Sequence, residues 1–222
     1  MPDYPGELNP QQLEAVRHTD GPLLIIAGAG SGKTRVLTHR IAFLLEQGAA
    51  PEEILAITFT NKAAREMRQR VELLVGSTDG MWIATFHSAC VRMLRRHGAL
   101  VDCLPGFSIY DDQDQLQVVR SCLRELNLDD KKYHPRGVLA AISKAKNALQ
   151  GPGDFARQAT DHFSSRVAEV YALYSAKLRA SNALDFDDLL VKAVELLETQ
   201  PQVLGRYQDR FRYIHVDEYQ DT

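Results

Sequence analysis

Residues 27–34 of the chain read Ala27-Gly28-Ala29-Gly30-Ser31-Gly32-Lys33-Thr34. A phosphate-binding loop has the pattern Gly-x-x-x-x-Gly-Lys-[Ser/Thr] between a strand and a helix, and here Ala27 stands where the first glycine is usual. The apolar run at residues 23–27 predicts a buried parallel strand before the loop. Apolar residues at helical spacing after the loop predict a helix that stops at Gly48. The segment therefore predicts a site for the phosphates of a nucleotide.

The residues of this loop differ in the chemistry that we expect of them. Its small residues let backbone N–H groups approach phosphate oxygens, and the following helix offers the positive end of its dipole. Lys33 is expected to reach the β- and γ-phosphates, and Thr34 to offer its hydroxyl to Mg²⁺. The alternative is a glycine-rich turn with an exposed lysine, which the agreement of strand, loop and helix disfavours.

Two adjacent carboxylates, Asp217 and Glu218, follow a second apolar run at residues 211–216. Open α/β sheets bind ligands at the carboxyl ends of their strands, which is where this pair is expected to lie. We expect Asp217 to hold Mg²⁺, directly or through water, and Glu218 to orient and deprotonate an attacking water molecule. The alternative is a pair of acids that only caps the exit of a strand. Together with the phosphate loop, the pair predicts a site of nucleotide hydrolysis.

Strands and helices alternate in the first ninety residues. Apolar runs at residues 54–59 and 82–86 predict two more strands, Gly76 ends the helix between them, and Ser88 is placed to cap the next helix. Residues 92–205 then have mostly helical spacing, with a break at residues 151–153, a helix start at Pro201 and a short strand at residues 107–110 that could return to the sheet. We predict an α/β fold: a parallel sheet interrupted by a mostly helical insertion domain. Residues 1–91 and 206–222 would form the nucleotide-binding domain, and residues 92–205 the insertion.

The composition excludes several classes of protein. The 222 residues are 45% hydrophobic and 25% charged, with a net charge of −3, which is typical of a globular protein and not of one with a uniformly basic surface. No apolar run approaches the ~20 residues of a membrane span. The N-terminus lacks the features of a signal peptide, and three scattered cysteines fit reduced thiols, so we expect a cytoplasmic location and no membrane partner.

The chain resembles the N-terminal part of superfamily 1 DNA helicases of the UvrD/Rep/PcrA type. Besides residues 27–34, the segments that carry the resemblance are Leu8-Asn9-Pro10-Gln11-Gln12-Leu13-Glu14-Ala15-Val16, Ile57-Thr58-Phe59-Thr60-Asn61-Lys62-Ala63-Ala64-Arg65-Glu66-Met67, Thr85-Phe86-His87-Ser88, Leu184-Asp185-Phe186-Asp187-Asp188-Leu189 and Asp217-Glu218-Tyr219-Gln220-Asp221-Thr222. They occur in the order of the family's motifs. The resemblance implies a RecA-like motor domain formed by the two ends of the chain. It also implies ATP-driven translocation 3′ to 5′ along single-stranded DNA, with strand separation at duplex junctions in repair or replication.

The resemblance also implies roles for individual residues. Gln12 would read the adenine of ATP, the loop from Ala27 to Thr34 would hold the phosphates, and Arg35 would lie near the base. Residues that would contact single-stranded DNA are Phe59, Asn61, Lys62, Arg65, Thr85 and His87. Alternatively, Arg35 is an exposed helix arginine, His87 is a neutral hydrogen-bonded histidine, and the aspartates at positions 185, 187 and 188 only cap a helix.

Elementary physics supports the DNA contacts independently. An aromatic ring that leaves a strand, as Phe59 is expected to, can stack on a base for ~1–3 kcal/mol whatever the sequence. Lys62 and Arg65 can then meet phosphates. The alternatives are that Phe59 packs in the core and that the basic residues form a solvated helix face.

In this family a second motor domain follows the Asp-Glu motif and supplies arginines to the γ-phosphate. The sequence contains none of that domain. We therefore expect a chain with half an active site, inactive or nearly so alone, whose partner is the C-terminal motor domain of the same protein. Two other hypotheses remain open, namely an autonomous P-loop ATPase or kinase unrelated to DNA, and a non-catalytic interaction module. The sequence gives no oligomeric state.

Overall fold

The computed structural model describes residues 4–28 and 30–221. The helices are α1 Tyr4–Glu7, α2 Pro10–Arg17, α3 Lys33–Glu46, α4 Asn61–Val75, α5 Phe86–His97, α6 Asp112–Glu125, α7 Pro135–Asn147, α8 Pro152–Gln158, α9 His162–Ala180, α10 Phe186–Thr199 and α11 Pro201–Arg210. The strands are β1 Ile54–Thr58, β2 Trp82–Thr85, β3 Ser108–Ile109, β4 Ala183–Leu184 and β5 Tyr213–Val216. The chain forms two compact units, one containing the part up to Ala89 together with the part from Leu204, and the other containing Cys90–Val203.

The first unit is built on a parallel sheet of order β2-β1-β5. All five residues of the central strand β1 are buried, and its Leu55 pairs with Trp82 on one side and Ile214 on the other. The apolar faces of α3 and α4 cover the sheet through a core formed by Ile41, Ile54, Ala56, Met67, Val71, Met81 and Ile83. This is the α/β arrangement that the alternation of apolar runs predicted.

The C-terminal part of the chain returns to the sheet that the N-terminal part begins. The N–H of Asp217 donates to the carbonyl of Ile57 at 2.9 Å, so the residues that follow β5 lie beside the end of β1. His215 lies on the buried side of β5. Its burial, helped by the charge of Arg40, lowers the pKa of the His215 ring to about 4 and keeps it neutral at neutral pH.

The prediction of a strand at residues 23–27 is wrong. Residues 22–28 have no regular secondary structure, and the apolar side chains there are exposed, Ile26 to 89%. A parallel strand needs backbone partners and cover on its faces, and among the described residues this run pairs with none of β1, β2 and β5. The loop after it is therefore anchored by α3 and by side chains.

Two smaller predictions are also corrected. Thr85, not Ser88, caps α5, because the Thr85 hydroxyl accepts from the N–H of Ser88 at 3.2 Å. The strand expected at residues 107–110 does not return to the main sheet. It forms β3, which pairs in parallel with β4 within the second unit.

The second unit is mainly helical. A core of buried residues joins α6, α7 and α9 and consists of Val119, Cys122, Leu123, Tyr133, Val138, Ile142, Ala145, Val167, Val170, Tyr171, Tyr174, Leu178 and Ala183. Asp185 caps α10 by accepting from the N–H of Asp188 at 2.8 Å, which confirms the capping interpretation of this aspartate. Within the described residues, no helix is both long enough and apolar enough to span a membrane.

Candidate nucleotide and nucleic-acid site

The phosphate loop lies at the start of α3 and is closed by its own polar groups. The N–H and the hydroxyl of Ser31 both donate to the carbonyl of Gly28, at 3.3 and 2.7 Å. The ammonium of Lys33 donates to the carbonyl of Ala27 at 3.1 Å, across the loop. This places a positive charge inside the turn, where an anionic phosphate can bind it. Ala29, which the sequence also assigned to this loop, lies outside the described residues.

Glycine is required at two positions of the loop for different reasons. Gly30 and Gly32 have φ angles of 76° and 87°, in the left-handed region that side chains disfavour. A Cβ at Gly32 would also lie 2.8 Å from Nε2 of Gln12, whereas a Cβ at Gly30 would meet no heavy atom within 4 Å. The absence of a side chain at Gly32 therefore lets the loop approach Gln12, the residue that the resemblance assigned to the adenine of ATP.

Gln12 connects the N-terminal helix α2 to the phosphate loop. Its Oε1 accepts from the N–H of Asn9 at 3.0 Å, and its Nε2 donates to the carbonyl of Ser31 at 2.8 Å. An amide side chain has two N–H donors and two lone pairs, so each end keeps one position for a ligand. Arg35 is exposed, and its Nη1 lies 3.4 Å from the carbonyl of Glu7.

Asp217 and Glu218 lie in the turn after β5, and their environments differ. Burial raises the pKa of the Asp217 carboxyl, and the Glu218 carboxylate raises it further, while the charges of Lys33 and Arg70 oppose the rise. The phosphate loop and the acidic turn lie in the same compact unit. Glu218 has a φ of 52°, an uncommon backbone for a residue other than glycine, and Nε2 of Gln220 donates to its carboxylate.

The residues present fit ATP with Mg²⁺. The hydroxyl of Thr34 and the carboxylate of Asp217 are the oxygen donors that Mg²⁺ takes, usually one or two from the protein with the rest from phosphates and water. Among the described residues no group of three or more His, Cys, Asp or Glu side chains could hold a metal.

The side chains assigned to DNA lie on the outside of the same unit. Phe59 follows β1 with 59% of its surface exposed, which disfavours the alternative that it packs in the core. Asn61, Lys62 and Arg65 are exposed in the first turns of α4, after the helix cap Thr60. Lys62 lies 3.9 Å from Glu66, a separation at which an exposed pair contributes little and leaves the lysine available.

Thr85 and His87 differ from these exposed residues. Thr85 is buried, and its hydroxyl also donates to the hydroxyl of Ser88 at 2.9 Å, so it is engaged in capping α5. His87 is partly buried at the start of that helix. The structure therefore separates an exposed group that can touch a nucleic acid directly from a threonine that shapes the backbone beside it.

Sequence reasoning missed the side chains that fasten the N-terminal helices to α3. Arg40, buried in α3, donates to carbonyls at the end of α2. His39 Nε2 lies 2.7 Å from a carboxylate oxygen of Glu7, which lies in α1. Neither residue belongs to a recognisable pattern. The only signal in the sequence was that a polar residue interrupts an otherwise apolar, core-facing side of the helix.

A loop with the phosphate-binding sequence pattern at the start of α3, with an acidic turn after a parallel sheet in the same unit, is typical of the P-loop class of proteins. Residues 8–222 match the model of the UvrD/REP helicase N-terminal domain, and the chain belongs to this family.

The chain is also similar to curated proteins named ATP-dependent DNA helicase PcrA. It is 56% identical over 217 residues to the one from Bacillus subtilis (strain 168), covering 97% of this chain and 29% of the relative. It is 54% identical over 219 residues to the one from Staphylococcus aureus (strain Mu50 / ATCC 700699), covering 98% of this chain and 30% of the relative. The chain thus spans less than a third of the length of these relatives.

Proposed function

We propose that the chain carries the ATP-binding residues and part of the single-stranded DNA surface of an ATP-dependent DNA helicase that moves 3′ to 5′. The first compact unit would be the RecA-like motor domain and the second an accessory insertion. The observation that carries the proposal is that the phosphate loop at the start of α3 and the acidic turn after β5 lie in one compact unit, with Phe59 exposed where the neighbouring strand β1 ends. Three unpaired cysteines fit a reducing compartment such as the cytoplasm.

Each residue of the site has a part in hydrolysis. The loop N–H groups and Lys33 bind the β- and γ-phosphates and draw charge toward the bond that breaks. Thr34 and Asp217 would hold Mg²⁺, and the chemistry supplied by the ion would be positive charge beside the phosphate oxygens. Glu218 orients the attacking water and accepts its proton. Arg35 and Gln12 would hold the base.

DNA binding and hydrolysis are close enough to be coupled. Phe59 and Asn61 follow directly after β1, and the carbonyl of Ile57 in this strand is bonded to the N–H of Asp217. Stacking on Phe59 and phosphate contacts to Lys62 and Arg65 do not depend on sequence, as a translocating motor requires. Thr85 would support this surface from beneath, and His87 would contribute at its border.

The test uses the intact protein. ATP turnover should rise when single-stranded DNA is added, and duplexes with a 3′ single-stranded tail should be opened faster than duplexes with a 5′ tail. Lys33→Ala should nearly abolish turnover without unfolding the protein, whereas Lys144→Ala, an exposed lysine of the second unit, should behave as wild type. Turnover that ignores DNA would instead favour an autonomous ATPase. Absence of turnover together with binding to another protein would favour an interaction module.

A further inference from the structure

A single buried arginine in α3 holds the C-terminal end of α2. Arg40 has only 9% of its surface exposed. Its Nη1 donates to the carbonyl of Ala15 at 2.9 Å and also to the carbonyl of His18. Ala15 lies in the last turn of α2, and His18 is the residue that caps this helix. The guanidinium, which belongs to another helix, therefore caps the C-terminal end of α2.

The physics of helix ends explains why a cation is suited to this position. The last four carbonyls of a helix have no partner within it, and together they form the negative end of the helix dipole. Within the described part of the chain, Arg40 takes part in no ion pair with a carboxylate. Its buried charge is compensated by these carbonyls, so the bonds to α2 are the main interactions that the structure gives it.

Helix α2 needs such support because it has eight residues. Helices of this length are unstable alone and depend on tertiary contacts. Val16 is fully buried in a small cluster with Leu8 and Val36, and this cluster fixes only one side of the helix. Arg40 fixes its end, and Gln12 lies in its first turn, bonded to the loop at Ser31. The placement of Gln12 is therefore set by both contacts.

We propose that Arg40 is a positioning residue for recognition of the nucleotide base, acting by holding α2 so that the amide of Gln12 stays beside the phosphate loop. This inference rests on the proposed function, in which Gln12 reads adenine. Arg40 does not touch the nucleotide. Its replacement should weaken the contacts to the base and leave those to the phosphates intact, because the phosphates are bound by the loop and by Lys33.

The experiment compares two ligands of the intact protein, ATP and inorganic tripolyphosphate, which has the phosphates without the base. Arg40→Met should weaken ATP binding about tenfold, the loss expected for one or two hydrogen bonds to the base. Binding of tripolyphosphate should change less than about twofold, within the usual scatter of such comparisons. Arg40→Lys should lie between, because a lysine keeps the charge but loses the fork of the guanidinium. Arg17→Met, an exposed arginine of the same helix, is the control and should bind both ligands normally.

Two further measurements identify the cause. In a Gln12→Ala background, Arg40→Met should have no additional effect on ATP, because the residue it positions is gone. Amide hydrogen exchange without nucleotide should become faster across α2 in Arg40→Met while α3 stays protected.

Equal losses of ATP and tripolyphosphate would overturn the proposal, since they would indicate a general structural role. Unchanged exchange in α2 would overturn it as well, whatever the nucleotides do. If α2 loosens but Gln12→Ala leaves the preference for ATP over tripolyphosphate intact, Gln12 does not read the base, and positioning for the base falls with that assignment. Failure of the proposed function looks different, because wild-type protein would then bind neither ligand or would turn over ATP without any response to single-stranded DNA.

Discussion

Glu218 combines a half-buried side chain with an uncommon backbone conformation. A φ of 52° in a residue other than glycine costs free energy, and such strain is tolerated where the surroundings hold it in place. Here the strand β5 ends, the turn begins, and the N–H of Asp217 is bonded back to β1. Both Asp217 and Glu218 are half-buried in this turn, and the carboxylate of Glu218 accepts from Nε2 of Gln220.

We expect Glu218→Gln to slow hydrolysis in the intact protein by ~10²–10⁴-fold, the usual contribution of a general base. The amide keeps the shape of the side chain, so binding of ATP with Mg²⁺ and of single-stranded DNA should be retained. Single-turnover hydrolysis and nucleotide titrations measure the two effects separately. Glu72→Gln, an exposed glutamate of α4, serves as control. Loss of nucleotide binding in Glu218→Gln would show that the residue is structural.

Phe59 offers the clearest test of the DNA surface. Phe59→Ala should weaken binding to all single-stranded sequences about equally, by ~1–3 kcal/mol, because stacking does not depend on base identity. Leu73, also a large exposed apolar residue of this unit, is a matched control, and Leu73→Ala should bind normally. Fluorescence anisotropy with several oligonucleotides measures both. Normal binding by Phe59→Ala would place the DNA contact elsewhere.

Single residues were predictable where chemistry demands a fixed pattern. The spacing of Gly32, Lys33 and Thr34 defines a phosphate loop, so these positions could be assigned from sequence. Arg40 could not be, because its partners are carbonyls at positions 15 and 18, and backbone carbonyls leave no trace in a sequence. Thr85 was assigned to DNA by resemblance, and the sequence could not show that its hydroxyl is used in a helix cap.

Among the elements, those that bury a strong apolar pattern were predicted well. Strand β1 is buried throughout, and helices α3 and α4 bury most of the apolar residues whose spacing predicted them. Residues 23–27 have an equally apolar pattern but are exposed, since an apolar run becomes a strand only where a neighbour pairs with it. Pairing partners are distant in sequence, so a local pattern cannot reveal whether one is available.

Helix α10 begins at a buried network of charged side chains. From the sequence, the aspartates there could be interpreted only as a helix cap. Lys146 of α7 lies 2.6 Å from carboxylate oxygens of both Asp185 and Asp188, and Tyr174 donates to Asp185 at 2.8 Å. Burial raises the pKa of the Asp188 carboxyl, with Lys146 opposing the rise. The network joins α7, α9 and α10 at one buried point, which a run of aspartates near a helix start does not disclose.

Lys146→Met should therefore reduce the free energy of unfolding by ~3–5 kcal/mol, the cost of leaving a buried partner charge uncompensated. Urea denaturation followed by far-ultraviolet circular dichroism provides the measurement. Lys144→Met changes an exposed lysine of the same helix and should leave the stability within ~0.5 kcal/mol of wild type. Equal stability of the two variants would mean that water or rearrangement replaces the lysine at little cost.

At the level of the whole molecule, one domain is assembled from distant parts of the chain. The phosphate loop near residue 30 and the acidic turn near residue 217 belong to one unit, and Cys90–Val203 forms the other. The chain also spans about 30% of its curated relatives. In the proposed site, a nucleotide at the loop would be contacted by Lys33 and by the acidic turn.

We expect residues 1–222 alone to bind ATP with Mg²⁺ but to hydrolyse it ~10³–10⁵-fold more slowly than the intact protein. This is the contribution that an arginine from a second domain makes at the γ-phosphate in related chemistry. Steady-state turnover with and without single-stranded DNA gives the comparison, and the binding titration shows that the site has formed. DNA-stimulated turnover within tenfold of the intact protein would show that this chain completes the site by itself.

The free side of β5 has a practical consequence for anyone who purifies this chain. Within the described residues β5 pairs with β1 alone, and Ile214 of that strand is 60% exposed. Leu24 and Ile26 expose further apolar surface in the same unit. An unpaired strand edge beside apolar side chains is a template for strands from neighbouring molecules. Samples of residues 1–222 should therefore aggregate on concentration or storage. Assays of this chain alone will need a solubilising fusion partner.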